Sequence, residues 1–298
     1  MLAPMSLYSK RLVIVSGKGG VGKSTVSAAI GMASAGRGLR TLLIEVASQE
    51  RMSLLFDQGG PIGYHATPVY PGLDAFSIDP QKALEEYLVS QLKVRAVVER
   101  MVANGAFGHV TAAAPGLREL VTLAKIRQLL EHGRHDLAVV DAPATGHGLG
   151  FLKVPRTFTR VARVGPVHAR AVWVAEFLED PVRTAVVLVT TAEELPVTET
   201  LEAIADISSD RVPFAGVIAN AVIEPLFDAG DAAALEPLRG SGDAAAAAAA
   251  ARARIARAAD QREQLSRLDA CLAELPFLFA PRLDVAAVAG LGERLAGL

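Results

Sequence analysis

Residues 17–24 read Gly-Lys-Gly-Gly-Val-Gly-Lys-Ser and satisfy every fixed position of G-x-x-x-x-G-K-[ST]. The chemistry this spacing serves is the grip on a polyphosphate. Glycines let successive backbone N–H groups turn inward around phosphate oxygens, at the positive end of the helix that follows. Lys23 is placed to reach the β- and γ-phosphates, and the Ser24 hydroxyl to ligate Mg²⁺. Gly17, Gly19, Gly20, Val21, Gly22 and Thr25 complete the candidate phosphate-binding set. Lys18 stands where an ordinary phosphate loop tolerates any residue, yet it is one of only seven lysines in the chain. A second cation there can neutralise transition-state charge in the way an arginine finger does across an interface. A second acidic element comes from Leu137-Ala-Val-Val-Asp141, an apolar run ending in a carboxylate that can hold Mg²⁺ through a water.

These residues need a scaffold, and the chain alternates short β-branched runs with longer helical stretches. Strands are expected at Leu12–Val15, Thr41–Val46, Leu73–Ile78, Leu137–Asp141, Val186–Thr190, Val217–Ala219 and Phe277–Phe279. Helices are expected over Ser24–Arg37, from Pro80 to about Asn104, and from Pro115 to His132. Alternation of this kind implies right-handed crossovers and an α/β, doubly wound, mostly parallel sheet of about seven strands with helices on both faces. Two segments depart from the rhythm. Phe151–Asp180 reads as a helical insertion with Lys153, Arg156, Arg160 and Arg163 at three- and four-residue spacing. Residues 228–273 contain eight consecutive alanines, Ala244–Ala251, and predict a surface helix from about Asp243 to Leu272. The organisation expected is one domain over 1–298, with 80–135 and 151–180 as helical subdomain segments.

Composition narrows the function classes. In 298 residues, 51% are hydrophobic and 21% charged, which excludes wholesale disorder. A net charge of −2 gives no global basic field of the kind that drives nonspecific nucleic-acid binding, and no nucleic-acid partner is expected. A single cysteine, Cys271, excludes a disulfide framework, a C-x-x-C pair and a several-thiolate zinc site within one chain. With neither a secretory leader nor a long apolar run in view, a cytoplasmic location is expected.

The run Gly17–Thr25 resembles the deviant Walker A motif of the signal-recognition/MinD/BioD class of nucleotidases. That resemblance implies a first lysine, Lys18, reaching the partner subunit's phosphates in a nucleotide-sandwich dimer. Asp141-Ala-Pro-Ala-Thr-Gly-His-Gly-Leu149 is similar to the switch II signature of the arsenite-pump/tail-anchored-protein-targeting ATPases, D-T-A-P-T-G-H-T-L-R. Segments around Ala114-Pro-Gly116, Leu152-Lys-Val-Pro155 and Glu194–Thr200 extend the likeness over most of the chain. The resemblance implies an ATPase switch with ATP and Mg²⁺ as cofactors. Gly146 and His147 then belong to the loop that reports the γ-phosphate, and Asn220 contacts adenine. No N-K-x-D guanine motif follows the Val217–Ala219 strand, which favours ATP over GTP.

The chain also departs from that family. The usual switch I, D-P-A-H, is replaced by Glu45-Val-Ala-Ser-Gln49, so Glu45 takes the place of the water-positioning aspartate, with its carboxylate displaced by one methylene. The family's metal-binding cysteines are missing, so arsenite sensing by thiolates and a zinc-clasped dimer are not expected. The resemblance implies a homodimer or paralogous heterodimer acting on a protein client, a hydrophobic helix or membrane protein. The Arg156/Arg160/Arg163 row reads from its spacing as a solvated face, with contact to an acidic lipid (a peripheral membrane contact) or an acidic protein as the alternative. Phe151, Phe158, Val161, Trp173, Phe177 and Leu178, with Leu88, Leu92, Met101, Val102 and Phe107 from the segment 84–130, are the apolar residues available to such a client or to the core. Two other readings stay open: a nucleotide-gated interaction module with little hydrolysis, and a partitioning-type positioning ATPase.

Overall fold

The computed structural model describes residues 6–46, 51–93, 100, 115–143, 150–209, 211–227, 229–235, 237–238 and 242–298. Its strands are β1 (Leu12–Ser16), β2 (Thr41–Val46), β3 (Thr67–Tyr70), β4 (Leu73–Ile78), β5 (Leu137–Asp141), β6 (Thr184–Thr191), β7 (Phe214–Val222) and β8 (Cys271–Pro276). They form one sheet in the order β3-β4-β2-β5-β1-β6-β7-β8. Every neighbouring pair is parallel except β3 with β4. The helices are α1 (Lys23–Gly36), α2 (Arg51–Leu55), α3 (Pro80–Leu92), α4 (Leu117–His132), α5 (Gly150–Val161), α6 (Pro166–Leu178), α7 (Glu194–Ser209), α8 (Ala229–Leu235), α9 (Asp243–Leu265) and α10 (Val285–Leu295).

The central strands are apolar throughout because both faces are covered, as a parallel sheet requires. Alternate residues feed two cores. Leu12 and Ile14 of β1, with Leu42 and Ile44 of β2, pack with side chains of α3 to α7. Val13 and Val15 point the other way, against Val26, Ala29 and Ile30 of α1 and Val288 and Leu291 of α10. This doubly wound arrangement is the one expected from the alternation of runs.

Three details differ. Among the described residues the sheet has eight strands, because β3 folds back antiparallel on β4 from within a Gly/Pro-rich stretch that carries no strand pattern; it is a four-residue edge strand with Pro68 in it, where a missing N–H is tolerated. The last strand is Cys271–Pro276 and not Phe277–Phe279. It lies at the other edge, only partly covered, so its residues need not be apolar, and the phenylalanines that suggested a strand follow it in an edge-to-face pair 4.8 Å apart. The alanine-rich helix stops at Leu265 and not Leu272, since the chain must turn at Ser266 to enter β8. The helix begun at Pro80, with Asp79 accepting from the amides of Gln81 and Lys82, is described to Leu92; its expected continuation toward Asn104 lies outside the described residues. The insertion at 151–180 is two helices, α5 and α6, separated at Gly165-Pro166.

Candidate nucleotide site

Parallel register brings the candidate residues to one edge. Val15 of β1 and Glu45 of β2 are both level with Asp141 of β5, and Thr191 of β6 is level with Asn220 of β7. The loop 17–22 leaves β1 at the middle of this edge and enters α1, the position where open α/β sheets bind ligands.

The glycines there answer to geometry. Gly17 has φ +144°, and a Cβ on it would sit 2.3 Å from the carbonyl oxygen of Val189 in β6. Gly22 has φ +91°, and a Cβ would meet the Asn220 amide at 2.2 Å. A Cβ on Gly20 (φ +88°) would meet nothing within 4 Å. The loop is therefore pressed onto β6 and β7 at its two ends and open in the middle, where Lys18, Gly19 and Gly20 are exposed. Gly22 caps α1 without a side-chain hydrogen bond, so no side chain of the cap competes for the first-turn amides. Thr25 lies in that first turn.

Four polar contacts organise the loop and its surroundings. The Lys23 ammonium, buried, donates to the Lys18 carbonyl at 2.8 Å. The Ser24 hydroxyl donates to Asp141 Oδ2 at 2.6 Å, and the Ser27 hydroxyl reaches Oδ1 at 3.5 Å. Asn220 Nδ2 donates to the Val21 carbonyl at 2.9 Å. The sequence expectation thus places Lys23, Ser24, Asp141 and Asn220 around one loop. The Lys18 ammonium is ion-paired with Glu199 of α7 in its own chain. Glu45 is buried, and its Oε1 accepts from the Arg51 amide at 3.0 Å, fixing the start of α2. Gly146 and His147 fall at 144–149, and Ala47–Gln49 at 47–50, outside the described residues.

Sequence reasoning missed Arg51, whose guanidinium lies 3.4 Å from the Ser24 hydroxyl. No motif marks it; the signal available was its place just after the β2 end that carries Glu45.

Burial opposes both charges of the central pair. It pushes the Asp141 carboxyl above its ordinary range, an effect that the Ser24 hydrogen bond, Lys23 and Arg51 only partly offset. It pulls the Lys23 ammonium below its ordinary range, against the attraction of Asp141. A carboxyl raised in the folded state holds its proton better there than in the unfolded chain. Stability therefore falls as pH rises from the ordinary aspartate range through the raised value, and is flat above it. Asp141→Asn removes that cost: without nucleotide, the variant should melt no lower than the parent at neutral pH and should lose this decline, as thermal unfolding across mildly acidic pH would show. A variant that melts well below the parent at neutral pH would mean that the ionised acid stabilises the empty protein.

The Ser24 hydroxyl and Asp141 carboxylate supply hard oxygen donors, and the open middle of the loop supplies room for phosphate. The residues present fit a magnesium triphosphate.

Comparison with known proteins bears on the family of the chain. A family model described as "Anion-transporting ATPase" matches residues 10–165 and 161–233. The "ATPase BagA" of Mycobacterium tuberculosis is 38% identical over 228 residues, which are 73% of this chain and 66% of that protein. The "Arsenical pump-driving ATPase" of Escherichia coli is 29% identical over 198 residues, 58% of this chain and 33% of that protein. The chain thus matches under two thirds of the length of the mycobacterial relative. With the family model matching from β1 through β7 and the phosphate loop seated between them, the chain belongs to the anion-transporting ATPase family.

Proposed function

We propose that this chain binds Mg-ATP at residues 17–25 and hydrolyses it as a conformational switch, working as a dimer on a protein client. The observation that carries the reading is the convergence of Lys23, Ser24 and Asp141 at the mouth of a glycine loop whose centre is open. In this reading Lys23 leaves the Lys18 carbonyl for the β- and γ-phosphates, and the loop amides hold the remaining oxygens. Ser24 and Asp141 would hold Mg²⁺, which when bound neutralises phosphate charge. Asn220, whose Nδ2 donates to the Val21 carbonyl beside the loop, is assigned to the base, since an amide can both donate and accept toward a purine edge. Glu45, level with Asp141, is assigned to the attacking water, and Gly146 and His147 to the loop that responds to the γ-phosphate.

Lys18 is assigned to the partner subunit's phosphates, which requires it to leave Glu199. Lys18→Ala should keep ATP binding in the isolated chain while reducing turnover about 10²-fold or more, as for removal of one preorganised transition-state donor, together with ATP-dependent dimerisation. Single-turnover hydrolysis and light scattering with and without nucleotide test this; turnover at the parent rate would remove the cross-subunit role. One observation favours a second reading, a nucleotide-gated interaction module with little hydrolysis: the Glu45 carboxylate is engaged by the Arg51 amide. ATP bound but not cleaved in a single turnover would select it.

A further inference from the structure

The helix that follows the 144–149 segment has a second face that the nucleotide site does not use. Between Asp141 and Glu176 the sequence contains no acidic residue, while Lys153, Arg156, Arg160, Arg163 and Arg170 all fall in that interval of a chain whose net charge is −2. On α5, Lys153, Arg156 and Arg160 lie within about 60° of arc at 3.6 residues per turn. Phe151, Leu152 and Phe158 of α5 pack into the core, Lys153 and Arg156 are half-buried beside Leu152, Leu178 and Glu179, and Arg160 and Arg163 are exposed. Lys153 has an acid nearby, Asp206 at 3.8 Å. Arg156, Arg160 and Arg163 make no ion pair among the described residues.

The turn joining α5 to α6 adds a second, independent feature. Val164 is 84% exposed and Val161 76%, the two most exposed large hydrophobic side chains among the described residues. They flank Arg163 and precede Gly165-Pro166. Exposed valines beside arginines are costly in water and of no use to a phosphodiester backbone. They suit a surface that is anionic at its headgroups and apolar just below them.

We propose that the α5 face and the Val161–Pro166 turn dock this protein on anionic lipid bilayers, the arginines meeting headgroup phosphates and the two valines entering the interface. Docking is peripheral: no helix among the described residues is long and apolar enough to cross a membrane. The proposal stands apart from the nucleotide reading, since it uses none of the residues assigned to ATP.

Co-sedimentation of the full chain with vesicles tests it, comparing phosphatidylcholine alone with phosphatidylcholine containing phosphatidylglycerol. Binding should require phosphatidylglycerol. It should weaken steeply as ionic strength rises from about 0.01 M to about 0.15 M, where the Debye length shortens from about 30 Å to about 8 Å. Arg160→Glu with Arg163→Glu reverses two exposed charges, a change of four unit charges at about fivefold per charge, and should reduce partition by two orders of magnitude or more. Val164→Asp should reduce it with the arginines intact. Unchanged thermal unfolding and unchanged ATP binding in these variants would show that the fold is kept. Equal binding to neutral and anionic vesicles, or full binding by the charge-reversed variant, would overturn the proposal. So would retention on polyglutamate without partition onto vesicles, which would assign the face to an acidic protein.

Discussion

Lys23→Ala should cost the protein its triphosphate. The ammonium is the one buried lysine at the loop, held at 2.8 Å from the Lys18 carbonyl beside Asp141, while Lys18 itself is exposed and ion-paired with Glu199. Arg51 is the nearest alternative, but it is exposed and reaches Ser24 only at 3.4 Å. Hydrogen bonds to charged partners contribute roughly 1.5–3 kcal/mol each, and Lys23 is assigned to two phosphates, so affinity should fall about 10²-fold or more. Turnover should fall further, by about 10³-fold, because charge on the transferred phosphoryl group develops where that ammonium would lie. The fold should survive: removing a cation whose own charge is disfavoured by burial relieves part of the desolvation cost. Nucleotide titration alongside thermal unfolding checks both halves. A variant that binds as the parent does would show that the loop grips something other than a polyphosphate.

Gly17→Ala should be the most damaging single change in the loop, for a reason independent of any ligand. A left-handed φ of +144° costs a non-glycine residue about 1–3 kcal/mol. Its Cβ would also fall 2.3 Å from the Val189 carbonyl oxygen, a backbone atom of central strand β6 that cannot swing aside. Together a loss of about 3–5 kcal/mol is expected, lowering the melting temperature by roughly 10 °C in a chain of this size. Gly20→Ala is the matched control. It shares a positive φ but meets open space, so its stability cost should be about 1 kcal/mol while phosphate affinity still drops. Equal melting temperatures for the two variants would mean that the loop does not press on β6.

The contrast between those glycines shows what the sequence could convey. Spacing alone singled out the loop, Lys23 and Ser24, and the structure sets that loop between β1 and α1 with Ser24 on Asp141. Apolar runs likewise identified the central strands, where burial on both faces forbids polar residues. The edges were illegible for the opposite reason. β3 holds Pro68 and β8 holds Cys271 and Glu274, since a half-covered strand is under no such restriction. Arg51 and Glu199 were missed because their importance lies in where other elements put them. Arg51 reaches Ser24 from the start of α2, and Glu199 meets Lys18 from α7 across 181 residues of chain. Glu45 was legible as an acid at a strand end, but not as the acceptor that fixes the first amide of α2.

The direct test of the phosphate site is isothermal calorimetry of the purified parent chain with ATP and magnesium. One saturable site per chain is expected, with binding weakened when magnesium is chelated and lost in Lys23→Ala. A flat titration of the parent with Mg-ATP, at protein concentrations where its fold is intact, would contradict it.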